Sequence, residues 1–196
     1  MNLPNKLTVS RFVLTGLFLV AMFSRSPVND TIALVLFSIA GLTDYFDGKI
    51  ARERNLITNF GILMDPLADK ILTCSVFIAF VGRGYMSAWM VVIIVSRELA
   101  ITGLRLLAAS RNLVLAAEGF GKHKTISQIV AILATLIQVS YDQWGSFGQG
   151  LFGPTLLGAP WIMAFTELSQ WVSVFLTILS GGIYLWRNRT LYLHDL

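Results

Sequence analysis

An all-α fold, a polytopic membrane protein with six transmembrane helices and both termini cytoplasmic, is what this sequence predicts from three of its features. Hydrophobic residues make up 55% of the chain and charged residues only 13%, whereas an average soluble domain carries about 25% charged residues. The apolar residues gather in runs that approach the roughly 20 residues a helix needs to cross a bilayer core. Lys and Arg alternate in abundance from one connection to the next, as the positive-inside rule requires of a chain that crosses repeatedly. The mean hydropathy of +0.69 agrees. A length of 196 residues suits one membrane domain, 1–196, with no room for a second.

The first span is expected over 7–23. Its basic flank, Lys6 and Arg11, mimics a signal peptide. However, no small-x-small cleavage site follows "FVLTGLFLVAMF", and more apolar runs do, so it reads as a retained helix. The turn chemistry of "SRSPVND" separates it from a second span over 31–50. A third covers 63–81 and ends at "GRGY"; the fourth covers 86–109. "GFGKHKT" leads into a fifth over 125–140, and the sixth covers 160–186. Between the last two, "WGSFGQGLFGPTLLGAP" (144–160) is too rich in Gly and Pro for a helix interior and is expected to be an irregular or interfacial loop.

Basic residues then set the orientation. Lys6 and Arg11 flank the first span, Lys49, Arg52 and Arg54 lie in the second connection, Arg111, Lys122 and Lys124 in the fourth, and Arg187 and Arg189 follow the sixth span. The other connections carry Arg25, Arg83 and none. Both termini and the stretch from Asp44 to Asp69 therefore belong on the cytoplasmic side of the cell's inner membrane. The net charge of +4 is spread between spans rather than along one polar face. That favours anionic lipid headgroups and phosphorylated substrates as partners, and no nucleic acid. The single cysteine, Cys74, supports no intramolecular disulfide and reads as a small apolar residue. His123 and His194 lack metal-ligand spacing and read as surface residues.

Four aspartates interrupt this apolar chain. Asp44 and Asp47 are three apart, Asp65 and Asp69 four apart, so on helices each pair shares a face. The first pair ends the second span and the second pair begins the third, so two antiparallel helices would gather four carboxylates. Such a cluster repels itself in a low dielectric unless cations or protons neutralise it. Hard oxygen donors at that density suit Mg2+ or Mn2+, and two ions would suit in-line displacement at phosphorus. Gly48 and Gly61 let a bulky ligand approach the backbone, with ordinary helix packing as the competing explanation. Arg52, about one turn past Gly48, can pair with phosphate, and Thr58 offers a hydroxyl.

The pattern Asp44-x2-Asp47-Gly48-x2-Ala51-Arg52-x8-Gly61-x3-Asp65-x3-Asp69 resembles, with no departure, the signature of the CDP-alcohol phosphatidyltransferases. Beyond it, "LPNKLTVSR" (3–11), "SRELAITGLRLLAA" (96–109) and "GKHKTISQ" (121–128) resemble the bacterial branch that uses sn-glycerol 3-phosphate. The resemblance implies transfer of a phosphatidyl group from CDP-diacylglycerol to sn-glycerol 3-phosphate, giving phosphatidylglycerophosphate and CMP. It implies a metal site at Asp44, Asp47, Asp65 and Asp69, with Asp69 also the general base. It assigns Gly48, Arg52 and Thr58 to the CDP moiety, and implies a homodimer.

A small, doubly charged acceptor needs cations besides metal. Arg97 and Arg105 are eight apart on the fourth span, about 12 Å along one face. Lys122 and Lys124 enter the fifth from the cytoplasm. Arg105 and Lys124 are the leading phosphate ligands, then Lys122 and Arg97. Positive-inside anchoring competes for the lysines, and an ion pair with Glu98 competes for Arg97. Asn5, Thr8 and Arg11 lie at the same membrane face, where they can contact nucleotide; for Arg11, a snorkelling anchor is the alternative. Two other functions stay open. One is a sister transferase using inositol phosphate, serine or phosphatidylglycerol. The other is a divalent-cation channel or transporter, against which the acids cluster at one face and Arg52 would repel a permeating cation.

Overall fold

Apolar runs in lipid leave the backbone no partner but itself, and an α-helix satisfies each N–H and C=O within one segment. A computed structural model describes the backbone of residues 3–24, 27–53, 59–110, 113, 119–156 and 158–189; side chains 3–8, 27, 44–53, 59–66, 69, 110, 119–120 and 156 lie outside the described set. Its helices are α1 (Leu3–Phe23), α2 (Pro27–Glu53), α3 (Asn59–Gly82), α4 (Ala88–Ser110), α5 (Gly119–Ser140), α6 (Gly145–Phe152) and α7 (Trp161–Arg187). A 3-10 turn, Tyr141–Trp144, joins α5 to α6, and a minimal antiparallel hairpin pairs β1 (Thr155–Leu156) with β2 (Ala159–Pro160).

The all-α class holds, and each expected apolar run is a helix. Several begin earlier than the apolar pattern suggests: α1 starts at Leu3, and α2 at Pro27, whose missing N–H costs nothing at a first helical position. The stretch 144–160 departs from its expected irregularity, since α6 occupies 145–152. Its three glycines each cost about 1 kcal/mol against alanine in a helix. Aromatic packing offsets this: Phe152 stacks its ring centroid 5.8 Å from Trp144, 5.8 Å from Trp161 and 6.4 Å from Tyr141. Gly145, at φ 64, makes the turn into the helix, and Gly148 lies so close to the Tyr141 carbonyl that a Cβ there would overlap it.

Helices α2 and α3 both pack on α1, α4 packs on α3 and α7, and α5 packs on α2 and α7. The core joins Phe18 and Met22 of α1, Phe37 of α2, Phe77 and Phe80 of α3 and Ile94 of α4, all under 5% exposed. Outside the core, polarity is inverted relative to a soluble bundle. Val20, Leu99, Leu168, Phe175 and Trp186 are exposed on helix surfaces, while Thr135, Ser173, Thr177 and Gln128 are buried. Gln128 Nε2 donates to Thr177 Oγ1 at 3.3 Å and Gln170 Nε2 to Thr135 Oγ1 at 3.1 Å, binding α5 to α7 from within. Buried hydroxyl and amide pairs under an apolar exterior are how helices associate in lipid. Among the described residues, 121–152 and Trp161–Arg187 are long and apolar enough to cross a membrane; Val9–Phe23, Val28–Thr43 and Lys70–Gly82 are apolar but shorter.

At the end of α3 the chain reverses through a Schellman turn. Gly84, at φ 75, donates to the Val81 carbonyl at 3.0 Å, and Tyr85 donates to the Phe80 carbonyl at 2.8 Å. Arg83 projects from this turn and locks three helices. Its Nη1 donates to the Met22 carbonyl at 2.6 Å, its Nη2 meets the Asp30 carboxylate at 3.2 Å, and its Nε donates to Tyr85 Oη at 3.1 Å. Asp30 is only 6% exposed, so this ion pair is a packing element rather than a surface decoration.

Candidate active site

The two aspartate pairs lie toward the facing ends of α2 and α3. Asp47 stands six residues before the end of α2 and Asp65 six after the start of α3, each about 9 Å along its axis. Asp44 and Asp69 stand nine and ten residues from the same connection, about 14 and 15 Å. Their side chains lie outside the described residues, as do those of Asn5, Thr8, Gly48, Arg52 and Gly61, and the whole of Thr58. Among the described residues no group of three or more His, Cys, Asp and Glu gathers to hold a metal. The donor set fits a hard divalent cation by its chemistry: four carboxylates, spaced i,i+3 on α2 and i,i+4 on α3, two helices that share α1 as a packing partner.

Next to Asp69, Lys70 opens a cluster of cations around one carboxylate. Lys70 Nζ donates to Thr102 Oγ1, tying α3 to α4. Thr102 Oγ1 in turn donates to the Glu98 carbonyl at 2.7 Å, one turn back on α4. Glu98 is 7% exposed, and its Oε1 accepts from Lys124 Nζ of α5 and from Arg97 Nη1, the latter at 3.2 Å. Lys70 adds its charge to the field at Glu98. Lys124 and Arg97 thus meet one carboxylate with Lys70 close enough to act on it, and cations grouped in this way suit a dianionic phosphate.

This geometry separates the acceptor candidates. Lys124 is 4% exposed and ion-paired; Lys122, two residues earlier, is exposed to solvent. Arg97 forms the pair with Glu98 that the sequence offered as its alternative role, and that pairing leaves it within the same cluster. Arg105 is exposed and leans on α7: its Nε donates to Tyr184 Oη at 3.3 Å, and its guanidinium carbon stands 5.6 Å from the Tyr184 ring centroid. Arg11 is 2% exposed, which removes the snorkelling alternative. His123 is exposed, as expected of a surface histidine.

Lys70, Thr102 and Tyr184 escaped the sequence reading. Lys70 did carry a signal, an ionisable residue beside Asp69 in an apolar run. Thr102 and Tyr184 carried none, because a hydroxyl in a membrane helix more often bonds its own backbone.

The sequence profile of the CDP-alcohol phosphatidyltransferase family matches residues 1–179. The chain is 39% identical over 199 residues to the CDP-diacylglycerol–glycerol-3-phosphate 3-phosphatidyltransferase of Bacillus subtilis, covering 95% of each. It is 32% identical over 183 residues to the protein of that name from Rickettsia bellii, covering 93% of each. To a probable phosphatidylglycerophosphate synthase of Mycobacterium tuberculosis it is 35% identical over 189 residues, covering 95% of this chain and 81% of the other.

Proposed function

The chain belongs to the CDP-alcohol phosphatidyltransferase family, and from that premise we propose that it transfers the phosphatidyl group of CDP-diacylglycerol to sn-glycerol 3-phosphate, producing phosphatidylglycerophosphate and CMP. The observation that carries the choice of acceptor is the 39% identity to the Bacillus subtilis enzyme over 95% of both chains. The cation cluster on α3, α4 and α5 agrees with it, because a phosphorylated alcohol needs what serine does not.

In this reading the six long helices span the inner membrane as one domain, 1–196, with both termini and the aspartates facing the cytoplasm. Diacylglycerol tails stay in lipid while the cytidine enters from water. Asp44, Asp47, Asp65 and Asp69 hold one or two divalent ions, Mg2+ or Mn2+. When bound, such ions neutralise the pyrophosphate and stabilise attacking and leaving oxygens. Gly48 and Gly61 leave room for the nucleotide against the helix backbones, Arg52 pairs with the diphosphate, and Asn5, Thr8 and Thr58 complete the contact. Lys124, Arg105 and Arg97 hold the acceptor phosphate, with Lys122 at the mouth of the pocket. Asp69 takes the proton of the acceptor hydroxyl as its oxygen bonds to the β-phosphorus, and the bond from that phosphorus to CMP breaks. Two copies of the chain associate as a homodimer.

The test is incubation of purified enzyme with CDP-diacylglycerol and a panel of alcohols, reading CMP and the lipid product. Glycerol 3-phosphate alone should support CMP release, and EDTA should abolish it until Mg2+ or Mn2+ is restored. Preference for inositol phosphate, serine or phosphatidylglycerol would assign the chain to a sister enzyme. Cation flux in proteoliposomes without CMP release would refute the transferase reading altogether.

A further inference from the structure

We propose that Gly181 of α7 is a positioning residue for the acceptor, acting through Arg97; the inference rests on Arg97 belonging to the phosphate pocket. Arg97 lies in the middle of α4 with its side chain 15% exposed, so water offers its guanidinium little to orient it. One end is tied, Nη1 to Glu98 Oε1 at 3.2 Å. Its Nε is buried with no hydrogen-bond partner among the described residues. Among the described residues, polar bonding therefore gives the stem of the side chain no second fixed point.

Helix α7 supplies one. A Cβ built on Gly181 would stand 3.0 Å from Arg97 Cγ and 3.9 Å from Nε, so the arginine stem lies directly on the backbone of α7 where that residue has no side chain. A Cβ on the neighbouring Gly182, about 100° further round the helix and exposed, would meet nothing within 4 Å, although both glycines line the same groove of about 270 Å3 between α4 and α7, so Gly182 serves as a surface control for the same backbone. A planar, forked donor recognises phosphate by direction as well as charge, so a shift of a few tenths of an ångström is a loss of specificity.

The test is steady-state kinetics on full-length enzyme in mixed micelles, varying each substrate separately. Gly181→Val should raise the KM for glycerol 3-phosphate about tenfold, as expected of a sub-ångström displacement, with kcat and the KM for CDP-diacylglycerol unchanged. Gly181→Ala should follow in the same direction with a smaller effect, which keeps the test informative if valine impairs folding. Gly182→Val should match wild type. In an Arg97→Ala background, Gly181→Val should have no further effect, because the residue through which it acts is gone. An unchanged acceptor KM in Gly181→Val, or an equal rise in the Arg97→Ala background, overturns the positioning role. Separately, an unchanged acceptor KM in Arg97→Ala alone would remove Arg97 from the phosphate pocket and overturn the reading on which the inference stands.

Discussion

Lys124→Ala is the substitution for which the structure yields a magnitude. The ammonium is 4% exposed and shares Glu98 Oε1 with Arg97. Removing one partner of a buried ion pair costs about 3–5 kcal/mol. Here Glu98 keeps Arg97 at 3.2 Å, so the lower end applies, about 3 kcal/mol of stability. Catalysis loses a second quantity. A hydrogen bond to a charged group is worth about 1.5–3 kcal/mol, so kcat/KM for glycerol 3-phosphate should fall about 10- to 150-fold, mostly through KM. Lys122→Ala, two residues away and exposed, should leave the melting temperature unchanged and alter the acceptor KM by less than about threefold. The assay is CMP release from purified enzyme with each substrate varied in turn, beside thermal unfolding of the same preparations. Equal effects of the two substitutions on the acceptor KM, or a larger one from Lys122, would refute the reasoning, which rests on the burial of Lys124 and its pairing with Glu98.

Three further outcomes are expected. Asp69→Asn should abolish turnover while sparing CDP-diacylglycerol binding, measured by equilibrium binding of the lipid nucleotide; a mutant with wild-type rate is incompatible with Asp69 as the base. Arg83→Ala strands the buried Asp30 carboxylate and the Met22 carbonyl, so it should cost about 3–5 kcal/mol in unfolding; a shift confined to acceptor KM would show that the lock reaches the active site instead. Gly148→Ala forces a methyl into the Tyr141 carbonyl and should lower the melting temperature without changing either KM; a neutral substitution would mean that α6 does not hold the geometry described.

Much of the architecture was legible because it follows from local pattern. The apolar runs could satisfy their backbones in lipid only as helices, and the six long helices fall where those runs do. The stretch 144–160 misled for a physical reason. Its glycines argue against a helix locally, while the aromatic contacts that stabilise α6 come from Tyr141, Trp144 and Trp161, on either side of it. Propensity is a local quantity and packing is not.

For the candidate site, spacing alone put Asp44 and Asp47 on one helix, Asp65 and Asp69 on the next, and singled out the basic residues of the fourth and fifth helices. Which of those cations is buried, and what it faces, belonged to the tertiary structure. Lys122 and Lys124 are near-equivalent in sequence; rotation of about 200° around α5 sends one to solvent and the other to Glu98. Likewise, nothing in the chain's order brings Gly181 to Arg97 or Tyr184 to Arg105, about eighty residues apart. Residue type and period set which groups a helix carries. Only the packing of one helix on another chooses which of them meet.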